Sequence, residues 1–315
     1  MPVVKVWDIA YGRLRAPDLD RMEAFLVAFG MVRAERTPTA LYMRGTDPAH
    51  HIHVTELGEP GFVALGFEAA TEADLYRLAE LPGASPVEET GEPGGGKRVV
   101  LREPNGYRVE IVHGIEQLPP IAVPRQAVNT GGEPLKRAGE LFRLKRGPAH
   151  VKRIGHAVLT TPRVAETVGW FRETLGLLRS DDVYEGSPDN LIGAFSRCDR
   201  GAEFADHHTL FCIKHPRAGL NHLSFEVQDI DDVFVGHEHL KRLGAYEHIW
   251  GIGRHLLGSN VYDYWTDPWG TLHEHWSDSD RLNAMSGGNL LPAEEGLTSQ
   301  WGEPPPEKML RSVTV

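Results

Sequence analysis

Several features are scarce in this chain of 315 residues, and each scarcity excludes a class of protein. It has only two cysteines, Cys198 and Cys212, so disulfide scaffolding is not expected and a reducing compartment fits. No run of 18 or more apolar residues occurs, which argues against a membrane-spanning helix. The N-terminal stretch lacks the apolar core of a secretory signal peptide, and we therefore expect a cytoplasmic protein.

Positive charge is also scarce, because 33 Lys and Arg residues stand against 44 Asp and Glu, for a net charge of -11. The resulting field repels phosphate, so we expect neither nucleic acid nor an anionic membrane as a partner. Hydrophobic residues make up 41% of the chain and charged residues 24%, which is typical of a globular protein. The length predicts two domains or one large one.

The chain repeats itself. The segments 103–106 and 267–270 share the pattern acid, Pro, any residue, Gly, and a glutamate follows each proline by six residues, at Glu110 and Glu274. Two further similarities relate 62–75 to 220–233 and 7–31 to 153–177. Each unit predicts a strand, a helix and three more strands within about 50 to 60 residues. The four predicted units, paired into two similar halves of an α+β fold, are 4–56, 61–113, 152–214 and 220–276.

Composition divides the chain further. Prolines and glycines are frequent between the halves, which predicts a connector there, and the C-terminal end shows no period. We therefore predict an N-terminal domain, a connector, a C-terminal catalytic domain and an extended C-terminal tail, at 1–114, 115–149, 150–283 and 284–315.

Three residues of the second half form a candidate metal site. His156 lies in the first predicted strand of the third unit, His222 in the first of the fourth, and Glu274 in the last. Residues on one face of separate strands can converge when a sheet curves. Two histidines and one carboxylate are the ligands of a mononuclear non-haem Fe(II) centre with open positions. A single histidine would be better explained as a core or surface residue. Two histidines and a glutamate at matching positions of the repeated units favour a metal site.

The first half offers an internal comparison. Tyr11 stands at the position of His156 and Ala64 at the position of His222, so only Glu110 remains of the three. One carboxylate cannot hold a transition metal, and the first half is predicted to be a metal-free copy.

Paired βαβββ modules with His, His and Glu on the second pair resemble the vicinal oxygen chelate superfamily, which has the glyoxalase/bleomycin resistance/dioxygenase fold. Within it, the chain resembles the two-domain type I extradiol ring-cleaving dioxygenases over residues 5–280, and the segment 251–276 is the most specific part. One residue departs from the pattern, since Asp263 precedes Tyr264 where the family usually has an apolar residue. The resemblance implies that each half is a curved mixed sheet wrapped around a cavity, and that the chain forms a homo-oligomer.

The resemblance also implies catalytic residues. His255 and Tyr264 match the pair that hydrogen-bonds the substrate oxygens, and His208 matches the histidine beside the metal that acts on dioxygen. We favour His208 over His207 because an apolar strand follows it, and neighbouring residues of a strand face opposite sides. The alternatives are a solvated loop residue for His208 and a packed aromatic for Tyr264.

The implied function is an extradiol dioxygenase that cleaves a catechol-type ring with O2 in aromatic catabolism. Its cofactor would be Fe(II), with Mn(II) as the other ion that this ligand set accepts.

Two alternative functions remain open. A metal-dependent lyase or isomerase of the superfamily would not need His208, His255 and Tyr264 together, and a ligand-sequestering protein would not need the His/His/Glu set. The sequence leaves open which substituted catechol is the substrate.

Overall fold

The computed structural model describes residues 1–124, 127–132 and 134–315, so the predicted connector lies outside the described residues at 125, 126 and 133. The first half contains two βαβββ units. The first unit consists of β1 (Val6–Ala16), α1 (Leu19–Phe29), β2 (Val32–Arg36), β3 (Ala40–Arg44) and β4 (His53–Leu57). The second unit consists of β5 (Gly61–Ala69), α2 (Glu72–Ala79), β6 (Glu88–Glu89), β7 (Lys97–Arg102) and β8 (Arg108–His113).

The second half repeats this order and adds a short strand and a structured tail. The third unit consists of β9 (Val151–Thr161), α3 (Val164–Leu175), β10 (Leu178–Tyr184), β11 (Leu191–Arg197), β12 (Ala205–Asp206) and β13 (Leu210–Lys214). The fourth consists of β14 (Gly219–Val227), α4 (Ile230–Leu243), β15 (His248–His255), β16 (Val261–Thr266) and β17 (Leu272–Ser277). The tail adds β18 (Arg281–Leu282), β19 (Asn289–Pro292), α5 (Ala293–Gly296), β20 (Ser299–Trp301) and α6 (Glu307–Arg311).

Each half forms one large mixed sheet. The strand order is β2-β3-β4-β1-β5-β8-β7-β6 in the first half and β19-β10-β11-β13-β9-β14-β17-β16-β15-β20 in the second. In both sheets the first strands of the two units pair antiparallel at the centre, and each has the last strand of its own unit as a parallel neighbour. The predicted α+β class with four βαβββ modules is therefore confirmed, whereas the exact domain boundaries stay a prediction.

The helices begin and end where local chemistry favours it. The Asp18 carboxylate caps α1 by accepting hydrogen bonds from the backbone amides of Asp20 and Arg21, both at 3.0 Å. Helices α1, α3 and α4 each end at a glycine with a positive φ: Gly30 (110°), Gly176 (74°) and Gly244 (61°). This left-handed conformation suits glycine, which explains the glycine that ends each of these three helices. No described helix has the length and apolar character needed to cross a membrane.

The two halves share one hydrophobic core. Phe29 of α1 stacks on His275 of β17 with ring centroids 3.6 Å apart, and the His275 Nε2 atom lies 2.6 Å from the Phe29 carbonyl oxygen. His273 lies on the same face of β17, with its Nε2 atom 3.2 Å from that of His53. Since side chains alternate along a strand, Glu274 between them points to the other face. The strand β17 therefore serves the interface of the halves on one side and the candidate site on the other.

The tail closes both edges of the second sheet. Strand β19 pairs parallel with β10, and β20 pairs antiparallel with β15 at the opposite edge. Near the chain end, the backbone groups of Thr314 and Leu220 exchange hydrogen bonds of 2.8 Å. The segment between these pairings, including α5 and α6, passes over the sheet face that carries Glu274.

A close backbone approach joins the halves at Gly45, where a Cβ atom would lie 2.0 Å from the carbonyl oxygen of Lys152. We predict that Gly45→Ala destabilises the protein by about 1–3 kcal/mol, because neither backbone can move without disturbing the shared core. The matched control is Gly169→Ala within α3, where an added Cβ meets no atom within 4 Å. That change should stabilise the helix by up to about 1 kcal/mol. Urea denaturation measures both, and equal effects would contradict the close approach.

Candidate metal centre

Three adjacent strands bring the predicted metal ligands together. His156 lies on β9, His222 on β14 and Glu274 on β17, which are neighbours in the sheet. The His156 and His222 Nε2 atoms lie 3.2 and 3.4 Å from the Glu274 Oε2 atom. One ligand atom from each residue lies within 4.8 Å of the other two, and all three side chains are buried. The strand pairing, with Ser224 opposite both His156 and Glu274, aligns them on one face.

The donor set fits a divalent transition ion. The His222 Nε2 and Glu274 Oε1 atoms are buried without a hydrogen-bond partner, which costs free energy unless another group satisfies them. The His222 Nδ1 atom lies 2.7 Å from the Asn221 Oδ1 atom, which can only accept. The proton therefore sits on Nδ1 and the Nε2 lone pair stays free, as in metal-binding histidines. The Ser224 hydroxyl donates to the Glu274 Oε2 atom and orients the carboxylate.

The protonation states of Glu274 and His156 leave both side chains with lone pairs that can bind a metal ion. Burial opposes ionisation of Glu274, but the nearby imidazoles of His156, His222 and His255 outweigh it and hold its pKa well below the usual range. Burial lowers the pKa of His156, despite the neighbouring Glu274 carboxylate, so that its imidazole stays neutral. An ionised carboxylate and neutral imidazoles are the protonation states that bind metal ions.

The three predicted catalytic residues surround the same point. The His255 Nε2 atom lies 2.9 Å from the Tyr264 hydroxyl and 3.6 Å from the Glu274 Oε1 atom. The His208 ring centroid lies 4.0 Å from that of His156. Burial, reinforced by the Glu274 charge, raises the pKa of Tyr264 well above its ordinary value, so the phenol keeps its proton. The structure thus brings together all six residues that the sequence singled out.

Five of these six side chains line one cavity of about 870 Å³ including its open mouth, with the fully buried Glu274 beneath it. Phe195 and Phe211 form a stacked pair in its wall, with ring centroids 3.9 Å apart. The remaining apolar lining comes from the second sheet, its loops and the tail: Val158, Ile213, Trp250, Leu257, Leu297, Pro305, Met309 and Leu310. Among the described residues that line this cavity, none is Lys, Arg, Asp or Glu.

The structure corrects one expectation about the histidine pair. His207 and His208 do not lie on a strand, because β13 begins only at Leu210. Alternation along a strand therefore does not separate them, and their Nδ1 atoms lie 3.0 Å apart. The His207 Nε2 atom lies 2.6 Å from the Asp181 carboxylate, which also accepts a hydrogen bond of 2.7 Å from Asn289 of β19. The expectation that the pair lies on a strand was wrong, and of the two histidines only His208 lines the cavity.

Asp181, Asn289 and the contact between His207 and His208 were not predicted from the sequence. The first half has a histidine pair before β4, His50 and His51, at the equivalent place of the repeat. Their Nδ1 atoms lie 3.1 Å apart, so both halves hold two adjacent histidines in contact at this place.

The first half holds its glutamate in a different way. Glu110 accepts a hydrogen bond of 2.6 Å from the Tyr11 hydroxyl, and its other oxygen lies 2.6 Å from an Arg108 guanidinium nitrogen. The Arg13 Nε atom lies 3.3 Å from the same carboxylate. Burial opposes ionisation of Glu110, yet Arg13 and the Tyr11 hydroxyl keep its pKa below the ordinary value. Guanidinium groups therefore balance the charge of Glu110, whereas the imidazoles of His156 and His222 lie beside Glu274 in the second half.

Comparisons with known proteins agree with this arrangement. A family model described as the Glyoxalase/Bleomycin resistance protein/Dioxygenase superfamily matches residues 153–274, which include both histidines and the glutamate. Over 313 residues the chain is 31% identical to Metapyrocatechase 2 of Cupriavidus necator, which covers 98% of this chain and 92% of that protein.

Solved structures share the fold over nearly the whole chain. The anaerobic complex of homoprotocatechuate 2,3-dioxygenase from Brevibacterium fuscum with 3,4-dihydroxyphenylacetate has a TM-score of 0.80 at 17% identity, covering 99% of this chain and 94% of that one. The Mn(II)-bound glyoxalase from Novosphingobium aromaticivorans has a TM-score of 0.77 at 23% identity, covering 96% and 94%. At such identities the likeness is evidence for the fold.

Proposed function

Because this chain belongs to the type I extradiol ring-cleaving dioxygenases of the glyoxalase/bleomycin resistance protein/dioxygenase superfamily, we propose that it cleaves a catechol-type ring with O2. The observation that carries the proposal is the convergence of the His156, His222 and Glu274 ligand atoms at a cavity that His208, His255 and Tyr264 also line. A lyase or isomerase would not need all of these, and a sequestering protein would not need the ligand set.

We assign the catalytic ion to His156, His222 and Glu274 and propose Fe(II), with Mn(II) as the other ion of this class. When bound, such an ion supplies open coordination positions for the catechol oxygens and for dioxygen, and it lowers the pKa of the bound hydroxyl. The remaining polar groups of the cavity orient the substrate and move protons.

His255 and Tyr264 orient the substrate. Their 2.9 Å contact places both polar tips at one point of the cavity wall. Because burial keeps the Tyr264 phenol protonated, it can donate a hydrogen bond to a substrate oxygen that has lost its proton. This arrangement fixes the ring in one orientation before it reacts.

His208 is the proton-transfer group on the opposite wall. Its Nδ1 atom is engaged with His207, which leaves Nε2 as the ring nitrogen available to the cavity. Burial holds the pKa of His208 well below its usual range, so the imidazole is neutral before substrate binds. It can accept a proton from a catechol hydroxyl and return that proton to an oxygen on which negative charge develops.

The apolar lining of the cavity indicates the substrate class. A carboxylate on the substrate would enter a space whose described lining has no Lys or Arg, and its desolvation would be uncompensated. The stacked pair Phe195 and Phe211 instead offers contact to an alkyl or aryl group. We propose that the substrate is a catechol with an apolar substituent.

Two further expectations belong to this proposal. The family resemblance leads us to expect a homo-oligomer. Two free, buried cysteines, Cys198 and Cys212, support a location in a reducing cytoplasm.

The reaction is tested by adding catechols aerobically to Fe(II)-loaded protein. We predict a yellow ring-cleavage product from 3-methylcatechol, opened beside the diol. We expect kcat/KM to be at least ~10-fold lower for a catechol that carries a carboxymethyl group, since each 1.4 kcal/mol of lost transition-state binding is tenfold. A cis,cis-muconate product would refute extradiol cleavage. Faster turnover of the carboxylate substrate would refute the substrate class alone.

Metal content tests the ligand assignment. After loading with Fe(II) in the absence of oxygen, the native chain should hold about one ion, the number that one such site accepts. His156→Ala should lose this ion because two protein ligands do not hold it. Glu110→Ala is the matched control, since it removes the equivalent glutamate of the first half. If Glu110→Ala also strips the iron, the assignment of a metal-free first half is wrong.

Turnover tests His208. We predict that His208→Asn keeps its metal and its catechol affinity under anaerobic conditions, because the other residues hold both. Its kcat should fall by roughly 10²–10⁴, the usual contribution of one positioned acid–base group.

The contact between His207 and His208 extends this test. His207→Phe keeps a ring of similar shape but removes the hydrogen bonds to His208 and Asp181. We expect kcat to fall by roughly 10–100-fold, as is common when the partner of a site histidine is lost. If His207→Phe turns over like the native protein, the contact does not serve His208.

A further inference from the structure

A second group of metal-binding side chains lies outside the catalytic cavity. His237 of α4, His248 of β15 and Asp263 of β16 have ligand atoms within 4.8 Å of one another. The Asp263 Oδ1 atom lies 2.8 Å from the His248 Nε2 atom and 3.1 Å from the His237 Nδ1 atom. Tyr264 follows Asp263 and lines the catalytic cavity, so alternation along β16 places Asp263 on the opposite face.

The three side chains differ in their exposure to solvent. The Asp263 carboxylate is fully buried, while the His237 and His248 side chains are 15% and 31% exposed. The indole N–H of Trp265 donates a hydrogen bond of 2.6 Å to the Asp263 Oδ2 atom. This bond fixes the carboxylate, whose Oδ1 atom contacts both imidazoles and whose Oδ2 atom also lies 3.2 Å from the His237 Nδ1 atom. The exposure of the imidazoles gives an ion a path from solvent and leaves room for water as a further ligand.

We propose that His237, His248 and Asp263 form a second metal site, which takes a divalent ion of the zinc class. Two imidazole nitrogens and one carboxylate oxygen are common ligands of Zn(II), and a water completes four-coordination. The spacing resembles that of the catalytic set, in which two histidine nitrogens lie 3.2 and 3.4 Å from one glutamate oxygen. A donor that fixes the carboxylate, here Trp265, is a regular feature of such sites.

The site also gives a role to the residue that departs from the family pattern. An apolar side chain at position 263 would pack beneath the two histidines, whereas Asp263 brings a buried negative charge that a cation balances. The ion would tie α4 to the hairpin of β15 and β16. That hairpin carries His255 and Tyr264 on its cavity side, so the ion would brace the wall that orients the substrate.

Zinc stoichiometry tests the site in the full chain. Zn(II) also fits the catalytic ligands, so we expect the native protein to hold about two ions after dialysis against Zn(II), one for each set of three ligands. His248→Ala and His156→Ala should each hold about one ion, and the double variant none. The matched control is His239→Ala, which removes a histidine from the same helix and should keep both ions. Elemental analysis with far-ultraviolet circular dichroism measures ion content and folding.

Thermal unfolding supplies the second measurement. Zn(II) should raise the Tm of His156→Ala, in which only the second site remains, and should leave the Tm of His156→Ala/His248→Ala unchanged. If His248→Ala does not fold, His237→Ala takes its place. The proposal is overturned if His248→Ala binds as much zinc as His239→Ala. It is also overturned if zinc raises the Tm of His156→Ala and of His156→Ala/His248→Ala equally.

Discussion

A carboxylate buried at the centre of the second sheet is the constraint on which the rest of the site depends. Glu274 has no exposed surface, and a charge in that position requires a positive partner or several hydrogen bonds. The sheet places His222 on the next strand and His156 one strand farther, with their Nε2 atoms toward the carboxylate, so that an ion held by all three would balance the charge. The pairing that aligns them is the central antiparallel contact of β9 and β14, so the fold itself sets the geometry of the ligands.

The duplicated half surrounds its equivalent glutamate with different partners. Glu110 occupies the same place in the first sheet, yet Tyr11 and a group of arginines satisfy its charge. The two halves therefore surround a buried glutamate carboxylate with different groups. In the first half the partners of the glutamate are protein groups, Tyr11 and arginines. In the second half the unpaired lone pairs of His222 and Glu274 remain, which suits an ion.

The tail links the shape of the cavity to its chemistry. Strand β19 pairs with β10 and brings Asn289 to the Asp181 carboxylate, which in turn contacts His207. Leu297 and Met309, farther along the tail, add apolar surface to the cavity. One segment therefore excludes water from the substrate space and supports the histidine pair at its wall. This coupling explains why a stretch without internal periodicity is still held by strand pairing at both edges of the sheet.

The sequence by itself determined the modular fold and pointed to the candidate metal ligands, because the repeat placed His156 and His222 in the first strands of their units and Glu274 in a last strand. Periodicity can be read from a short stretch of sequence, and residues at equivalent positions of the repeated units lie on equivalent strands of the fold. Only the tertiary structure decided the contacts between segments distant in sequence, such as Asp181 with Asn289 and His237 with Asp263. It also showed that His207 touches His208, since the start of β13 depends on its pairing with β9 and β11. Such contacts depend on how strands and helices pack against one another, which no local pattern in the chain records.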